Sequence, residues 1–210
     1  MDNNNSKHGM AAVAVVVALI VGMGGGYAIG HSMKSDDTNA NLSSNTSMMS
    51  ANDGTMVGGS LMVKDRDIVD NAAKAKNVST TVSLVKLAGL VDTLKGEGPF
   101  TVFGPNNDAF AKLGKETVAS LQKPENVGTL KNILTYHVVP GTFTAADLKV
   151  MAQKGDTLTT VEGEMLTPVM ENNMVAIKDA KGGLAEIETA DVISSNGVTH
   201  VIKSVLMPAN

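Results

Sequence analysis

The succession of patterns along the chain predicts an α+β domain, with helices leading and antiparallel strands following. Two observations carry the prediction. From Asp67 to Leu148, apolar residues recur at helical spacing, interrupted by one strand-like run, Pro99–Phe103. After Gly155 the period shortens towards two, and turn-forming residues separate the apolar runs. Helices followed by hairpins, rather than alternating βαβ units, define the α+β class. A third observation limits the fold to one domain: of 210 residues, the first 60 or so carry no globular pattern, and the remaining ~150 suit a single domain.

Residues 1–9, MDNNNSKHG, are polar. The 10–30 segment is uncharged and apolar, and its run Met10–Ile29 is 20 residues long. At about 1.5 Å per residue, a helix of that length matches a hydrocarbon core of about 30 Å. The expectation is a transmembrane helix anchoring the chain, with Lys7 favouring a cytoplasmic N-terminus. The alternative is a signal peptide cleaved after Ala28, with Gly26 and Ala28 as the small residues. The first reading places the protein in the cell envelope, anchored in the inner membrane and facing the periplasm or outside; the second makes it secreted. Gly22, Gly26 and Gly30 continue Ala14 and Ala18 at i,i+4 spacing. Such a small-residue face lets two helices approach, so weak self-association is expected.

Residues 31–60 are rich in Ser, Asn, Thr, Asp and Gly, show no apolar period, and read as a flexible linker. His31, Met33, Met48, Met49 and Met56, with Met62 just beyond, offer soft ligands of the kind that favour Cu(I). Their spacing is irregular, with no tight MxxM series, and compositional drift in a tether is the default account of them.

The folded domain is expected over 61–210. Ile68, Val69, Ala72 and Ala73 suggest a short helix. Val78 to Leu94 suggests a second helical region broken near Gly89, with Ser79 or Thr80 capping its start. Pro99–Phe103 reads as a strand ended by Gly104-Pro105-Asn106. Asn106 or Asn107 can cap the next helix, which holds Ala109, Phe110 and Leu113, and another short helix runs near Lys115–Leu121. Pro124 opens the clearest helix, with an apolar stripe at Val127, Leu130, Ile133 and Leu134. Pro140-Gly141 makes a turn, and Thr144–Leu148 begins one more helix. Strands follow at Thr157–Val161, Met165–Met170, Met174–Ile177 and Leu184–Val192, and a final strand after Asn196-Gly197 closes the fold.

Composition narrows function. No Cys means no disulfide, thiol catalysis, thiolate metal site or Cys lipidation. Lys and Arg total 17 against 21 Asp and Glu, without a dense basic run, so nucleic acid is not an expected partner. Aromatics are 3% with no Trp, which removes a stacking platform for bases or sugars. G-x-S-x-G, H-E-x-x-H, Walker and dinucleotide motifs are missing from the domain. No catalytic residue, cofactor or metal is expected.

Three stretches carry a resemblance. Phe100–Phe110 (FTVFGPNNDAF), Leu134–Gly141 (LTYHVVPG) and Ser195–Pro208 (SNGVTHVIKSVLMP) resemble, in order and spacing, the first, the central tyrosine–histidine and the second motifs of the fasciclin domain family. The similarity covers about residues 65–208. One departure is Gly104-Pro105-Asn106, where the family usually has Ala-Pro-Thr; Asn replaces Thr as a cap. The resemblance implies a wedge-shaped β-sheet core with helices packed around it, and adhesion or matrix association without catalysis. The combination of no Cys, one domain and an N-terminal apolar segment points to a bacterial source.

Tyr136, His137 and Pro140 form a candidate binding or structural motif. A buried Tyr keeps a polar handle, and a His between apolar neighbours is by default a hydrogen-bonded structural one. Alternation places Val198, His200 and Ile202 on one strand face, so His200 reads as a core residue. A metal site from His137 and His200 needs a third ligand, and no spacing demands Asp108 or Asp191. Asn106 and Asp108 read as helix-start residues. The expected function is a non-enzymatic, exported binding module for a surface or matrix protein or polysaccharide, serving adhesion or matrix or envelope association. Alternatives are a structural or regulatory envelope protein that binds another membrane protein, and a small-molecule or lipid carrier, which would need a deep apolar cavity.

Overall fold

The computed structural model describes residues 54–209, which fall within one unit of the chain. They begin with β1 (Gly54–Val57) and β2 (Ser60–Val63), an antiparallel hairpin. Gly58 and Gly59 form its two-residue turn, both at positive φ, as the tightest hairpins require. The hairpin therefore starts inside the 31–60 stretch expected to be a linker. Met56 is exposed on it and Met62 is buried; the other linker ligands considered for copper, including His31, lie outside the described residues.

Helix α1 (Ile68–Ala72) is capped by Asp67, whose side chain accepts from the Asp70 amide at 2.8 Å. It buries Ile68 and Val69 as expected, but Asn71 turns inward and Ala73 outward. Asn71 is satisfied inside: it accepts from the Val63 amide at 3.1 Å and donates to the Val63 carbonyl at 2.8 Å and Ser194 Oγ at 2.9 Å. Helices α2 (Ser79–Leu87) and α3 (Val91–Lys95) are separated at Gly89, in the left-handed region at φ +68°. That break leaves Leu87 45% exposed, against the expectation of an inward stripe. Neither Ser79 nor Thr80 caps α2. Asn107 does so from across the fold, accepting from the Thr80 amide at 3.0 Å and donating to the Lys76 carbonyl at 2.9 Å.

Strand β3 (Phe100–Pro105) is followed by α4 (Asn107–Leu113), α5 (Lys115–Leu121) and, after a 3-10 turn at Pro124–Asn126, α6 (Val127–Tyr136). Short β4 (Val138–Pro140) leads to α7 (Ala145–Lys154), which starts with a reciprocal Thr144–Asp147 capping box. Then come β5 (Leu158–Thr159), β6 (Met165–Glu171), β7 (Met174–Lys178), β8 (Leu184–Ser194) and β9 (Gly197–Ile202).

The seven-stranded sheet runs β4-β3-β9-β8-β7-β6-β5. The last strand is thus central: β9 pairs parallel with β3 and antiparallel with β8. Its near-continuous burial suits that place. Beyond β5, the Val161 amide donates to the Val138 carbonyl of β4 at 2.8 Å, so the sheet curls almost into a barrel. Inside the curl lie Phe103, Tyr136, Leu148, Leu166, Ile177 and Ile202. A second core lies among the helices, with Leu84, Leu94, Phe110, Leu130 and Ile133. A third, smaller one lies beneath the hairpin. This is the α+β arrangement expected, a near-barrel sheet flanked by helices.

The expectation of a transmembrane helix, and with it a membrane partner and an inner-membrane location, is corrected. No helix among the described residues is long and apolar enough to cross a membrane. The longest, α6 and α7, have 10 residues each, about 15 Å against a core of about 30 Å. The 10–30 segment, with Gly22, Gly26 and Gly30, lies outside the described residues.

Candidate functional site

Tyr136 is the last residue of α6, and the helix stripe that buries Leu130 and Ile133 carries its ring fully inside. Its hydroxyl donates to the Met165 carbonyl at 3.0 Å and accepts from the Ala180 amide at 2.9 Å. The phenol thus ties α6 to β6 and to the β7–β8 turn. Burial pushes its pKa up to about 12, partly offset by the Ala180 amide. It stays protonated and keeps donating.

His137 caps the same helix and is buried. Its Nδ1 lies 2.7 Å from the Ile133 carbonyl, and its Nε2 accepts from the Leu206 amide at 3.0 Å. Those partners select the neutral tautomer with the proton on Nδ1. Burial pushes its pKa down to about 4, against the smaller opposing effects of the Ile133 carbonyl and Asp179. His137 is a bolt between α6 and the C-terminal segment, with no ring nitrogen left for a ligand. Its backbone carbonyl accepts from the Phe103 amide at 2.9 Å, seating β3 beside it. Pro140, two residues into β4, is exposed.

His200 lies on β9 beside Phe103 of β3, and the two rings stack with centroids 5.6 Å apart. Its Nε2 is 2.8 Å from the Phe143 carbonyl, and its Nδ1 accepts from the Asp191 amide at 3.3 Å. This is the opposite tautomer, and burial again lowers the pKa. Asp191, at φ +55° in the irregular part of β8, caps α7 by accepting from the Ala145 amide at 2.8 Å. The two histidines therefore serve separate hydrogen-bond sets. Asp108 is exposed in the first turn of α4. Among the described residues, no three His, Asp or Glu side chains are placed to hold a metal ion.

Asn106 is the helix cap anticipated for α4: its Oδ1 accepts from the Ala109 amide at 2.7 Å. It also donates to Glu188 Oε2 at 2.6 Å, joining α4 to β8.

Three groups have long-range partners that the sequence did not indicate. Asp179, 8% exposed, accepts from the Lys181 and Gly183 amides at 3.0 and 2.6 Å and from the Met207 amide at 3.1 Å. Glu164 accepts from the Ala209 amide at 2.7 Å. With His137, these acceptors hold the C-terminal segment. Asn196 accepts from the Ile68 amide at 3.0 Å and donates to the Leu94 and Gly96 carbonyls at 2.8 and 3.1 Å. An Asp opening a Gly-rich turn was a readable signal for the turn; its reach to Met207 was not.

An open groove of about 620 Å³ lies where β3 and β9 begin. The Lys95–Pro99 loop forms one wall and the Ile193–Gly197 turn the other, with Thr142 beside them. Lys95 is paired with Asp70 at 2.6 Å and Asp67 at 3.5 Å. Glu97, Thr142, Ile193 and Ser195 are exposed there.

A fasciclin domain model matches residues 76–208, more than half of the chain. Protein sll1483 of Synechocystis is 48% identical over 141 residues, covering 67% of this chain and 73% of that protein. A second Synechocystis protein, sll1735, is 40% identical over 146 residues, covering 67% of this chain and 97% of its own length. Among solved structures, a FAS1 domain pair from the insect cell adhesion molecule fasciclin I superimposes with a TM-score of 0.62 at 22% identity. That match covers 69% of this chain and spans about half of the solved one, 52%. With the family's motifs spent on holding helices to the curled sheet, and the family model matched from Lys76 onwards, the chain belongs to the fasciclin domain family.

Proposed function

We propose that the chain is a secreted binding module that attaches to a cell-surface or matrix protein or polysaccharide, and so serves adhesion or matrix association. The module comprises the 61–210 region extended by the hairpin from Gly54. The observation that carries this reading is the commitment of Tyr136, His137 and His200 to partners inside the fold. They act as scaffold, and contact falls to the exposed loops. The groove between the Lys95–Pro99 loop and the Ile193–Gly197 turn is the concave, mixed-polarity surface best suited to it. The apolar cavity beneath the β1–β2 hairpin does not suit a carrier of whole lipids, because it holds about 60 Å³, against about 300–1,000 Å³ for drug-sized pockets. The fasciclin I pair comes from a cell adhesion molecule, which agrees with this reading at the level of fold.

Beads coated with the full chain provide the test. Retention on the producing cells or their matrix polymers should saturate and be competed by soluble protein. The double variant Glu97→Lys, Ile193→Asp should lower it several-fold without altering the melting temperature. Retention no greater than that of albumin-coated beads would remove adhesion as the function.

A further inference from the structure

Beneath the hairpin β1–β2 lies an apolar cavity of about 60 Å³, walled by α1, α2 and one face of the sheet. Val57 and Met62 form its roof, and Val102, Gly104 and Val201 belong to its floor. A water molecule would fit by volume, since about 10–15 Å³ suffices, but it needs two to four polar partners. Asn71 and Thr199 are the polar residues on its wall; the oxygen and nitrogen of Asn71 are already bound to Val63 and Ser194, and Thr199 sets its Cγ2 methyl against Gly104. The space is suited to apolar atoms and not to water.

Three features make it more than a gap in packing. The roof is a separate piece of structure, seated by its buried Val57, Met62 and Val63. The hairpin forms its own two-stranded sheet and is tied to the rest by side-chain bonds: Thr55 to the Asp191 carbonyl, Ser60 to the Lys74 carbonyl, and the Asn71 clasp on Val63. A lone hairpin is marginally stable. The roof is also adaptable, because Met62, 1% exposed, is an unbranched side chain that repacks readily. The floor, finally, has room for one more methyl. A Cβ on Gly104 would sit 3.6 Å from Thr199 Cγ2, an ordinary contact, and no left-handed φ calls for glycine there.

We propose that this cavity is a binding site for one small apolar molecule, admitted when the hairpin and Met62 move aside; at about 60 Å³ it is smaller than the ~150 Å³ that holds benzene in an engineered core, so a ligand of that size enters only if this roof moves outward and widens it. The site is separate from the groove and does not depend on the adhesion reading. The roof residues Val57 and Met62 precede the stretch matched by the family model.

The full chain, labelled at Val and Leu methyl groups, tests the proposal by NMR with two probes, xenon under pressure and dissolved benzene. Both should shift the methyl resonances of Val82, Val102 and Val201, and benzene should raise the melting temperature with concentration. Val82→Phe fills the cavity and should abolish both responses. Gly104→Ala, which the geometry accommodates, should keep the fold and weaken benzene binding several-fold; it decides the matter if Val82→Phe does not fold. A response to xenon without one to benzene would reveal a rigid void and overturn the proposal. So would no response to either probe, or a benzene response unchanged in Gly104→Ala.

Discussion

Both ring nitrogens of His137 are engaged, and that fixes its charge state and its effect on stability. Folding holds its pKa at about 4, whereas an unfolded imidazole titrates near 6.5. Between these values the unfolded chain binds a proton that the folded chain refuses. The stabilisation is full above about pH 6.5, declines as pH falls through the window, and is gone below about pH 4; the span corresponds to about 3 kcal/mol. His200, also lowered, acts in the same direction. Urea midpoints at pH 7, 5.5 and 4 should trace this fall, and His137→Gln should flatten it while costing about 1–3 kcal/mol at pH 7. A variant with the wild-type pH profile would show that the imidazole is not the group responsible. Tyr136→Phe orphans the Ala180 amide and the Met165 carbonyl, and should cost about 1–2 kcal/mol in the same measurement. The burial of the two histidines was legible in the sequence, because His137 stands between Tyr136 and Val138 and alternation puts His200 on one strand face with Val198 and Ile202. Their partners were not. Leu206 and Phe143 lie far along the chain from the histidines they engage, and only the closed sheet brings them near.

At the level of elements, caps and turns were the easiest features to read, and reading them as local was the commonest error. Asn106 caps α4 as its type and position suggest. Asn106→Ala should lower stability by about 1–2 kcal/mol, the cost of a lost cap, seen as an earlier urea midpoint. Asn107, equally suited to capping α4, instead reaches back to α2. Gly197 shows the same reach. Its φ of +152° and the closeness of the Phe100 carbonyl leave no place for a Cβ. Gly197→Ala should therefore cost about 3 kcal/mol or more, and a melting temperature within a degree of wild type would contradict the close approach. The hairpin was missed although its signal was present: Gly58-Gly59 lies between Thr55-Met-Val57 and Leu61-Met-Val63. The Ser- and Asn-rich run before it hid the change of texture.

For the whole molecule, class and element order followed from periodicity, while strand order did not. A final strand naturally reads as closing the last hairpin, yet β9 inserts between β3 and β8. Its burial on both faces is the physical reason, and six residues are too few to display that as a pattern. Stability should be uneven across this architecture. Amide exchange at Thr55 and Met56 should proceed through cheap local opening, whereas Val102, Val198 and Val201 should exchange only with global unfolding. Equal protection at the two sets would mean that the hairpin is as firmly held as the sheet. The Val161–Val138 hydrogen bond has a consequence for life at high concentration. A sheet whose two edges approach each other leaves little free edge for a strand from another molecule: β5 has two residues, and β4 has three and ends on Pro140, which has no N–H to lend. Copies crowded together thereby find little edge on this sheet through which to zip into fibrils.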